Sequence, residues 1–536
     1  MKDNHISPIE AVESISRISD QPPSGENISF DTATTPFSVD SFVLKLFNLH
    51  DDQAERINVY SGTDGLHVYI RLKPVPCRCS ACGNMTDKVK GYKTRKITHS
   101  VITTTPCFID YDQRRMRCTE CGRTFVEPNP FAFPGEKVSA VTVYNVLQDC
   151  SRPHETFKAI AERYHISPST VLRIFDSHVN IPRRKLPRYL VVDETYAFHT
   201  AVSDYVFVMM DYETMDIIDV LPSRKKADLD AYFQKIPLRE REEVQIVSSD
   251  MWNTYRDMTH RWFPKAVHSC DSFHLKMELS RCVQKVRIRI MNHHRIQKKE
   301  AKPVREMKPD ELLEFSSHVK SYYLLKKFAP WMLYKRPSDG LFDPNRKKKY
   351  NRVFREYLNY HDIYCKILET DNELSEAVAL QEQLYLFFRK STMKTAPKAL
   401  KELIYNFSTS TVKEMCSFSA TLRQWRTSII NSFIPIEGDN EEYEIDDSLP
   451  NAKREIITEY LEDHKARKRR RINSSVIENR NKLIKDIKHC SSGYSNWHRF
   501  RNRVLLCLNS ETTFFLEPQP TSREWINEKK KRTKKD

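Results

Sequence analysis

The chain has 536 residues, with 87 Lys and Arg against 71 Asp and Glu, a formal net charge of +16 and a pI near 9.1. This length exceeds what one hydrophobic core supports, so several domains are expected, and the positive charge favours a polyanion such as nucleic acid as partner. The ten glycines form neither a phosphate-binding loop nor a dinucleotide fingerprint, which argues against an ATP-driven enzyme. No stretch approaches the roughly 18 apolar residues of a membrane span, so we expect a soluble, unexported protein without a membrane partner.

The N-terminal third begins with a segment that lacks periodic apolar residues. Residues 1–38 are rich in Ser, Thr, Pro and acids, which predicts a disordered leader. Segments 41–47, 56–60 and 66–72 alternate apolar and polar residues, as short antiparallel strands do. Because they lead into a cysteine cluster, we assign residues 39–135 to strands and a zinc ribbon.

Two Cys-x-x-Cys-Gly knuckles are the strongest local signal. The predicted zinc ligands are Cys79, Cys82, Cys118 and Cys121, and Gly83 and Gly122 follow the two pairs. The two-residue gap lets both thiolates of a pair reach one tetrahedral Zn²⁺, and thirteen cysteines fit a reducing compartment. Cys77 stays an alternative ligand, although its spacing to Cys79 is too tight for a normal knuckle. The other interpretation is a set of thiols without metal.

The segment between the knuckles is basic and predicts a hairpin suited to phosphate contacts, with Arg114 and Arg115 as candidates. An ordinary solvated basic face explains these residues equally well.

Residues 136–182 predict a helix-turn-helix, whose first helix ends near Tyr164 and whose second is capped by Ser167.

In that motif Ser169, Thr170 and Arg173 would face the DNA groove. The alternative is a helical pair that only packs.

The pattern then changes to three strands, a helix and a fourth apolar strand over residues 183–276, which is the opening of an RNase H-like fold. Asp193 ends the first strand and Asp250 follows the fourth, and these strands are neighbours in that fold.

Other acids compete for a catalytic role in this segment. The rivals are Glu194, Asp204, Asp211 and Asp271. Asp271 and His274 open the helix after a fifth strand, and we expect them close to the site, where they would orient DNA or a metal-bound water.

Residues 277–470 predict a basic helical insertion whose interleaved aromatic residues are more typical of a core than of base-stacking platforms. Its end carries Lys468, Arg469 and Arg470, which are candidate DNA-backbone contacts.

Residues 471–510 predict the final helices of the core, with Glu478 as a third acid, and residues 511–536 predict a basic tail. Because bases surround Glu478, a simple ion pair is its alternative role.

These elements together predict a multidomain α+β protein: an N-terminal zinc ribbon, a helix-turn-helix, and an RNase H-like α/β catalytic core with a large all-helical insertion. The segments Val192-Asp-Glu, Ser249-Asp-Met-Trp, Asp271-Ser-Phe-His and Ile477-Glu-Asn-Arg-Asn-Lys occur in an order that resembles bacterial insertion-sequence transposases of the DDE type, in the ISL-three family. The resemblance covers roughly residues 40–510. Two features depart from it, the first knuckle and Asn479, where a glycine is usual.

The resemblance implies that Asp193, Asp250 and Glu478 hold two catalytic Mg²⁺ ions, with Mn²⁺ as a substitute, beside one structural Zn²⁺. It implies cleavage of double-stranded DNA at transposon ends and strand transfer into target DNA, by a homodimer or larger synaptic oligomer in the bacterial cytoplasm, associated with the nucleoid. The alternatives are a non-enzymatic DNA-binding regulator derived from a transposase, and an RNase H-like nuclease without strand transfer.

Overall fold

The structure is a computed structural model that describes residues 44, 47, 49–50, 52–102, 105–198, 203–335, 340–436, 471–472, 475–490, 494–510 and 514–519. The predicted leader, most of the predicted basic tail, and Lys468, Arg469 and Arg470 lie outside these residues. Within the described ranges, no helix combines the length and apolar character needed to span a bilayer.

The N-terminal unit is a mostly antiparallel sheet with a small cysteine hairpin attached. Its strands are β1 (Ala54–Ser61), β2 (Leu66–Leu72), β5 (Val89–Ile102), β6 (Thr105–Arg117) and β7 (Thr124–Val126), and the hairpin consists of β3 (Cys77–Arg78) and β4 (Met85–Thr86). The order is β1-β2-β6-β5, with β7 also on β6 and β2 parallel to β6. The strands predicted at 56–60 and 66–72 are confirmed.

The strand predicted at 41–47 is wrong at the two residues that can be judged. Leu44 is helical and Phe47 lies in a turn, with the Phe47 N–H donating to the Leu44 carbonyl at 3.0 Å. Both side chains are buried in the core of the N-terminal sheet. A helical turn brings residues three apart onto one face, which suits this packing better than an alternating strand does.

Three helices connect the two sheets: α1 (Ala140–Cys150), α2 (Phe157–Arg163) and α3 (Pro168–His178). The turn between α2 and α3 places His165 at a φ of 49°. Ser167 caps α3 by accepting from the Thr170 N–H at 3.1 Å, and Pro168 stands in the first turn, where its missing N–H costs nothing. The helices and turn of the predicted motif are therefore present.

The central sheet has five strands in the order β10-β9-β8-β11-β12. Its strands are β8 (Tyr189–Thr195), β9 (Val206–Asp211), β10 (Ile217–Leu221), β11 (Ile246–Ser249) and β12 (Val267–Cys270). Strands β8, β9 and β10 are antiparallel neighbours, whereas β11 and β12 run parallel to β8. This is the arrangement predicted for an RNase H-like core.

Helices cover both faces of this sheet, because alternate strand residues point to opposite sides. Val191 and Val208 pack in one core with the C-terminal helices α15 (Ser475–Cys490) and α16 (Trp497–Leu508). Val192 and Phe207 face the other core, formed with α4 (Lys226–Phe233) and α6 (Asn253–Trp262). The short α5 (Leu238–Arg241) precedes β11. The sheet is thus held between two apolar layers.

In its described residues, the insertion is helical apart from connecting turns and one short hairpin. Its helices are α7 (Ser272–Glu300), α8 (Pro309–Lys327), α9 (Ala329–Met332), α10 (Tyr360–Leu368), α11 (Asn372–Lys390), α12 (Ala396–Ser408), α13 (Lys413–Gln424) and α14 (Arg426–Asn431). Strands β13 (Lys349–Asn351) and β14 (Glu356–Leu358) interrupt the predicted all-helical pattern. The hairpin forms because Asn351 accepts two turn amides and Arg355 adopts a φ of 57°.

Candidate active site and zinc site

Four cysteines form the first site. Within the described residues, Cys79, Cys82, Cys118 and Cys121 are the one set of Cys, His, Asp or Glu whose ligand atoms all lie within 4.8 Å of one another. Sulfur distances are 3.7 Å between Cys79 and Cys121 and 3.5 Å between Cys82 and Cys118. A tetrahedral ion with Zn–S bonds of about 2.3 Å places its sulfurs about 3.8 Å apart. The four thiols therefore fit a structural Zn²⁺.

Both knuckles show the backbone that such a site needs. Gly83 and Gly122 have φ angles of 79° and 69°, and their N–H groups donate to the carbonyls of Cys79 and Cys118 at 2.9 and 3.2 Å. Left-handed backbone is readily available to glycine, which explains its place after each pair. The N–H groups of Cys82 and Ala81 lower the pKa of the Cys79 thiol to about 6, which favours the metal-binding thiolate.

Cys77 does not belong to this set. It lies on β3, is 2% exposed, and its thiol donates to the Val75 carbonyl at 3.4 Å. Burial raises the pKa of this thiol, which disfavours the thiolate. The residue therefore fits a packing role beside the zinc site.

The central sheet aligns three aspartates across neighbouring parallel strands. Ser248 on β11 pairs with Val191 on β8, so two residues further on Asp250 comes level with Asp193. Ser249 pairs with Cys270 on β12, so Asp271 comes level with Asp250. Because adjacent strands lie about 4.8 Å apart, the three carboxylates share the carboxyl-terminal edge of the sheet.

The first turn of α15 brings Glu478 to this edge. Asn481 follows it by three residues, so the two share a helix face, and the Asn481 amide Nδ2 donates to Asp193 Oδ2 at 2.7 Å. His274 and Asp271 are close enough to shift the pKa of Glu478. Glu478 is exposed, whereas Asp271 is buried at the N-cap of α7, where it accepts from the Phe273 N–H at 3.2 Å.

Desolvation raises the pKa of these carboxyl groups and so disfavours their ionised form. Burial, followed by the charge of Glu194, raises the pKa of Asp250 to about 6. Burial also raises the pKa of Asp193 to about 7, against the opposing hydrogen bond from the Glu194 N–H and with a further increase from Asp250. The pKa of the exposed Glu478 is raised as well, mainly by partial desolvation of its carboxyl group. A bound cation would offset these penalties.

One carboxylate oxygen directly supports the inference that a cation binds at these acids. Asp250 Oδ1 is buried and has no hydrogen-bond partner among the described residues. A buried carboxylate oxygen without a donor is costly unless a cation or water contacts it.

The rival acids have other partners or other positions. Glu194 pairs with Arg224 and accepts from the Tyr255 hydroxyl at 2.7 Å. Asp211 pairs with Leu190 in the sheet register, which places it at the opposite end of β8 from Asp193, and its carboxylate caps a turn. Asp204 precedes β9 and lies outside the aligned row.

The predicted DNA contacts differ in exposure. Arg115 is exposed, but Arg114 is only 2% exposed and pairs with Glu127 at 2.7 Å. A guanidinium in that position has no free face for a phosphate, so Arg114 is corrected from a DNA contact to a structural ion pair.

On α3, Ser169 and Arg173 are exposed and Thr170 is half-buried. Arg173 pairs with Glu136, so a phosphate would have to compete for it. Ser169 and Thr170 contact the hydroxyl of the capping Ser167, at 2.8 Å in each case. These three residues share the first two turns of the helix predicted to face DNA.

Sequence reasoning did not find Asn481 or Arg224. Asn481 was detectable by its three-residue spacing from Glu478 on one helix. Arg224, which follows β10, contacts the ring of Tyr205 at 4.2 Å and that of Trp252 at 5.0 Å, and lowers the pKa of Asp250. Only the folded arrangement shows that it lies beside the acids.

Comparisons with known families agree with this geometry. Residues 190–445 match a family described as transposase, and residues 76–121 match one described as the zinc-finger of transposase IS204/IS1001/IS1096/IS1165. A search of curated proteins finds no match. The RNase H-like sheet and the two matches define a transposase.

More particularly, both matched families are of the ISL3 type, and the chain belongs to the ISL-three family of DDE transposases. The matched segments contain the four zinc-binding cysteines, Asp193 and Asp250. Glu478 lies beyond the end of the transposase match.

Proposed function

We propose that this transposase cleaves DNA at transposon ends and transfers the freed strand to target DNA, with Asp193, Asp250 and Glu478 as its catalytic acids. The alignment of Asp193 and Asp250 on adjacent parallel strands carries this proposal. Glu478 completes the set, because its helix places Asn481 on Asp193. The family match supports the general activity, and the site geometry supports the residues.

Divalent ions, Mg²⁺ or Mn²⁺, supply Lewis acidity and an activated oxygen nucleophile when bound at such acids. The chain's own groups prepare the site for them. Asn481 holds the Asp193 carboxylate in one orientation, and Arg224 lowers the pKa of Asp250. Asp271 and His274 lie beside this set, with His274 Nε2 3.8 Å from Asp271 Oδ2. We assign them an accessory role in orienting the DNA or a water.

The zinc ribbon and the helix pair α2–α3 are the proposed DNA-binding elements. Ser169, Thr170 and Arg173 would meet the groove, and Arg115 a phosphate. We also propose that a dimer or larger synaptic complex pairs two transposon ends. Lys468, Arg469 and Arg470 remain predicted backbone contacts outside the described residues.

A cleavage assay tests the proposal. The DNA that flanks the native gene supplies a labelled end duplex, which is incubated with Mg²⁺ and either the wild type or Asp193→Asn, Asp250→Asn or Glu478→Gln. Asp257→Asn is the matched control, since this carboxylate is 56% exposed and lies on α6 away from the aligned acids. We expect cleavage and joined products with the wild type and the control, and binding without cleavage in the three variants.

Each other outcome has a definite meaning. Binding without cleavage by the wild type would favour the DNA-binding regulator, and cleavage without joined products the nuclease. Activity retained by Glu478→Gln alone would mean that the third acid is misassigned.

A further inference from the structure

A pocket in the helical insertion has the composition of a nucleic-acid site. It lies between α8, the hairpin β13–β14 and the start of α10, and has a volume of about 660 Å³. Its cations are Lys327, Arg346, Lys347, Lys349 and Arg352. Among the described residues, no Asp or Glu lines it. The pocket is therefore strongly positive.

These cations are available to a ligand. None of the five forms an ion pair with a carboxylate within the described ranges, whereas their neighbours Lys348 and Lys366 pair with Asp362 and Glu356 at 3.0 and 3.2 Å. The nearby acids are thus used by residues outside the pocket lining. Unneutralised cations around one concave surface attract phosphates.

Aromatic rings line the same pocket. They belong to Tyr323, Phe328, Tyr350 and Tyr360. Tyr350 is 54% exposed on β13, and its ring centroid lies 5.4 Å from that of Tyr357, which is 68% exposed. Tyr360 is 38% exposed and packs edge-on against Trp331 at 5.5 Å. The rings of Tyr350 and Tyr360 thus leave aromatic surface exposed on which a base could stack, whereas Phe328 packs against the helical core.

Two cations that line the pocket are close to Tyr350 in the sequence. Lys349 and Arg352 flank it along the chain, and the turn that carries Arg352 is fixed by the Asn351 side chain, which accepts from the Val353 N–H at 3.0 Å. A ring flanked by cations matches the alternation of base and phosphate along an unpaired strand. A duplex hides its base faces, so it offers phosphates but no stacking partner.

We propose that this pocket binds an unpaired segment of DNA, with a base stacked on Tyr350 and the flanking phosphates held by Lys347, Lys349 and Arg352. The inference rests on the proposed function, because cutting the two strands of an end at staggered positions would leave unpaired nucleotides. The volume suits a ligand of nucleotide size. An acidic peptide would use the cations but gain little from the rings.

Fluorescence anisotropy with a labelled oligothymidylate of about 12 nucleotides tests this on the full chain, without Mg²⁺, since such sites span ~4–16 nucleotides. We expect Tyr350→Ala to weaken oligothymidylate binding roughly 5- to 100-fold and duplex binding of the same length far less. Tyr350→Phe keeps the stacking face and should restore the affinity. Tyr405→Ala, which removes a 66% exposed tyrosine from α12, is the matched control and should bind as the wild type.

Several results would overturn the proposal. Equal oligothymidylate affinity for Tyr350→Ala and wild type would exclude stacking, and equal losses for single strand and duplex would leave only a phosphate-binding face. Equally strong competition by polyglutamate would indicate an acidic protein partner. The binding assay needs no cleavage, so the two proposals can fail separately. If the wild type cleaves transposon ends but Tyr350→Ala binds oligothymidylate normally, only the single-strand pocket is refuted. If Tyr350→Ala loses oligothymidylate binding but the wild type does not cleave, only the proposed function is refuted.

Discussion

Replacing Asp193 by asparagine should make the metal-free active site more stable at neutral and alkaline pH. Burial raises the pKa of Asp193 from its ordinary 3.8 to about 7 in the folded chain. The folded state therefore holds its proton more tightly than the unfolded state, so this residue's contribution to stability declines as pH rises from about 4 to 7. The difference of about 3 pKa units corresponds to about 4 kcal/mol, since each unit is worth about 1.4 kcal/mol.

The substitution preserves the shape of the site. An amide oxygen can still accept from the Glu194 N–H, which contacts Oδ1 at 2.7 Å. The new amide N–H₂ would face the side chain of Asn481. The Asn481 Oδ1 is buried without a hydrogen-bond partner in the described chain, and it could accept from the new amide if the Asn481 side chain flips. We therefore expect most of the 4 kcal/mol to appear as a stability gain at pH 8. That value is an upper limit, because Asp250 contributes part of the shift.

Thermal unfolding of zinc-loaded protein, without added Mg²⁺ or Mn²⁺, measures this effect. The Tm of Asp193→Asn should exceed that of the wild type by several degrees at pH 8, and the two values should converge near pH 4. Added Mn²⁺ should stabilise the wild type increasingly as pH rises through 7, and the variant little. A variant no more stable than the wild type at pH 8, or a pH-independent difference, would refute the reasoning.

Three further predictions concern other parts of the structure. Cys118→Ser should reduce bound zinc from about one ion per chain to near zero by elemental analysis, while Cys77→Ser should retain it; equal loss in both would contradict the four-cysteine assignment. Asn481→Leu removes the donor to Asp193 Oδ2, so the pH midpoint of Mn²⁺-dependent stabilisation should move upward, and an unchanged midpoint would exclude a positioning role. Arg224→Met removes a charge that lowers the pKa of Asp250, so the pH profile of cleavage should shift upward without loss of DNA binding; an unshifted profile would contradict that coupling.

Local features were readable in the sequence. The two Cys-x-x-Cys-Gly knuckles, the Ser167 cap before Pro168, and the alternating strands at 56–60 and 66–72 each depend on residues a few positions apart, and the structure places these features as predicted. Sequence reasoning also found the strand ends that carry Asp193 and Asp250, because a strand followed by an acid is a local pattern. These features follow from backbone conformation and ligand spacing, which short segments determine by themselves.

Only the tertiary structure decided which side chains meet. Strand register placed Asp211 at the opposite end of β8 from Asp193 and buried Arg114 beside Glu127. The contact between Asn481 and Asp193 joins residues 288 positions apart. Such pairings depend on how sheets and helices pack, and an acid or a base has the same local pattern whether it faces solvent, a partner or a metal site. Composition and spacing therefore determined the kind of protein, whereas long-range packing determined which residues make up its active site.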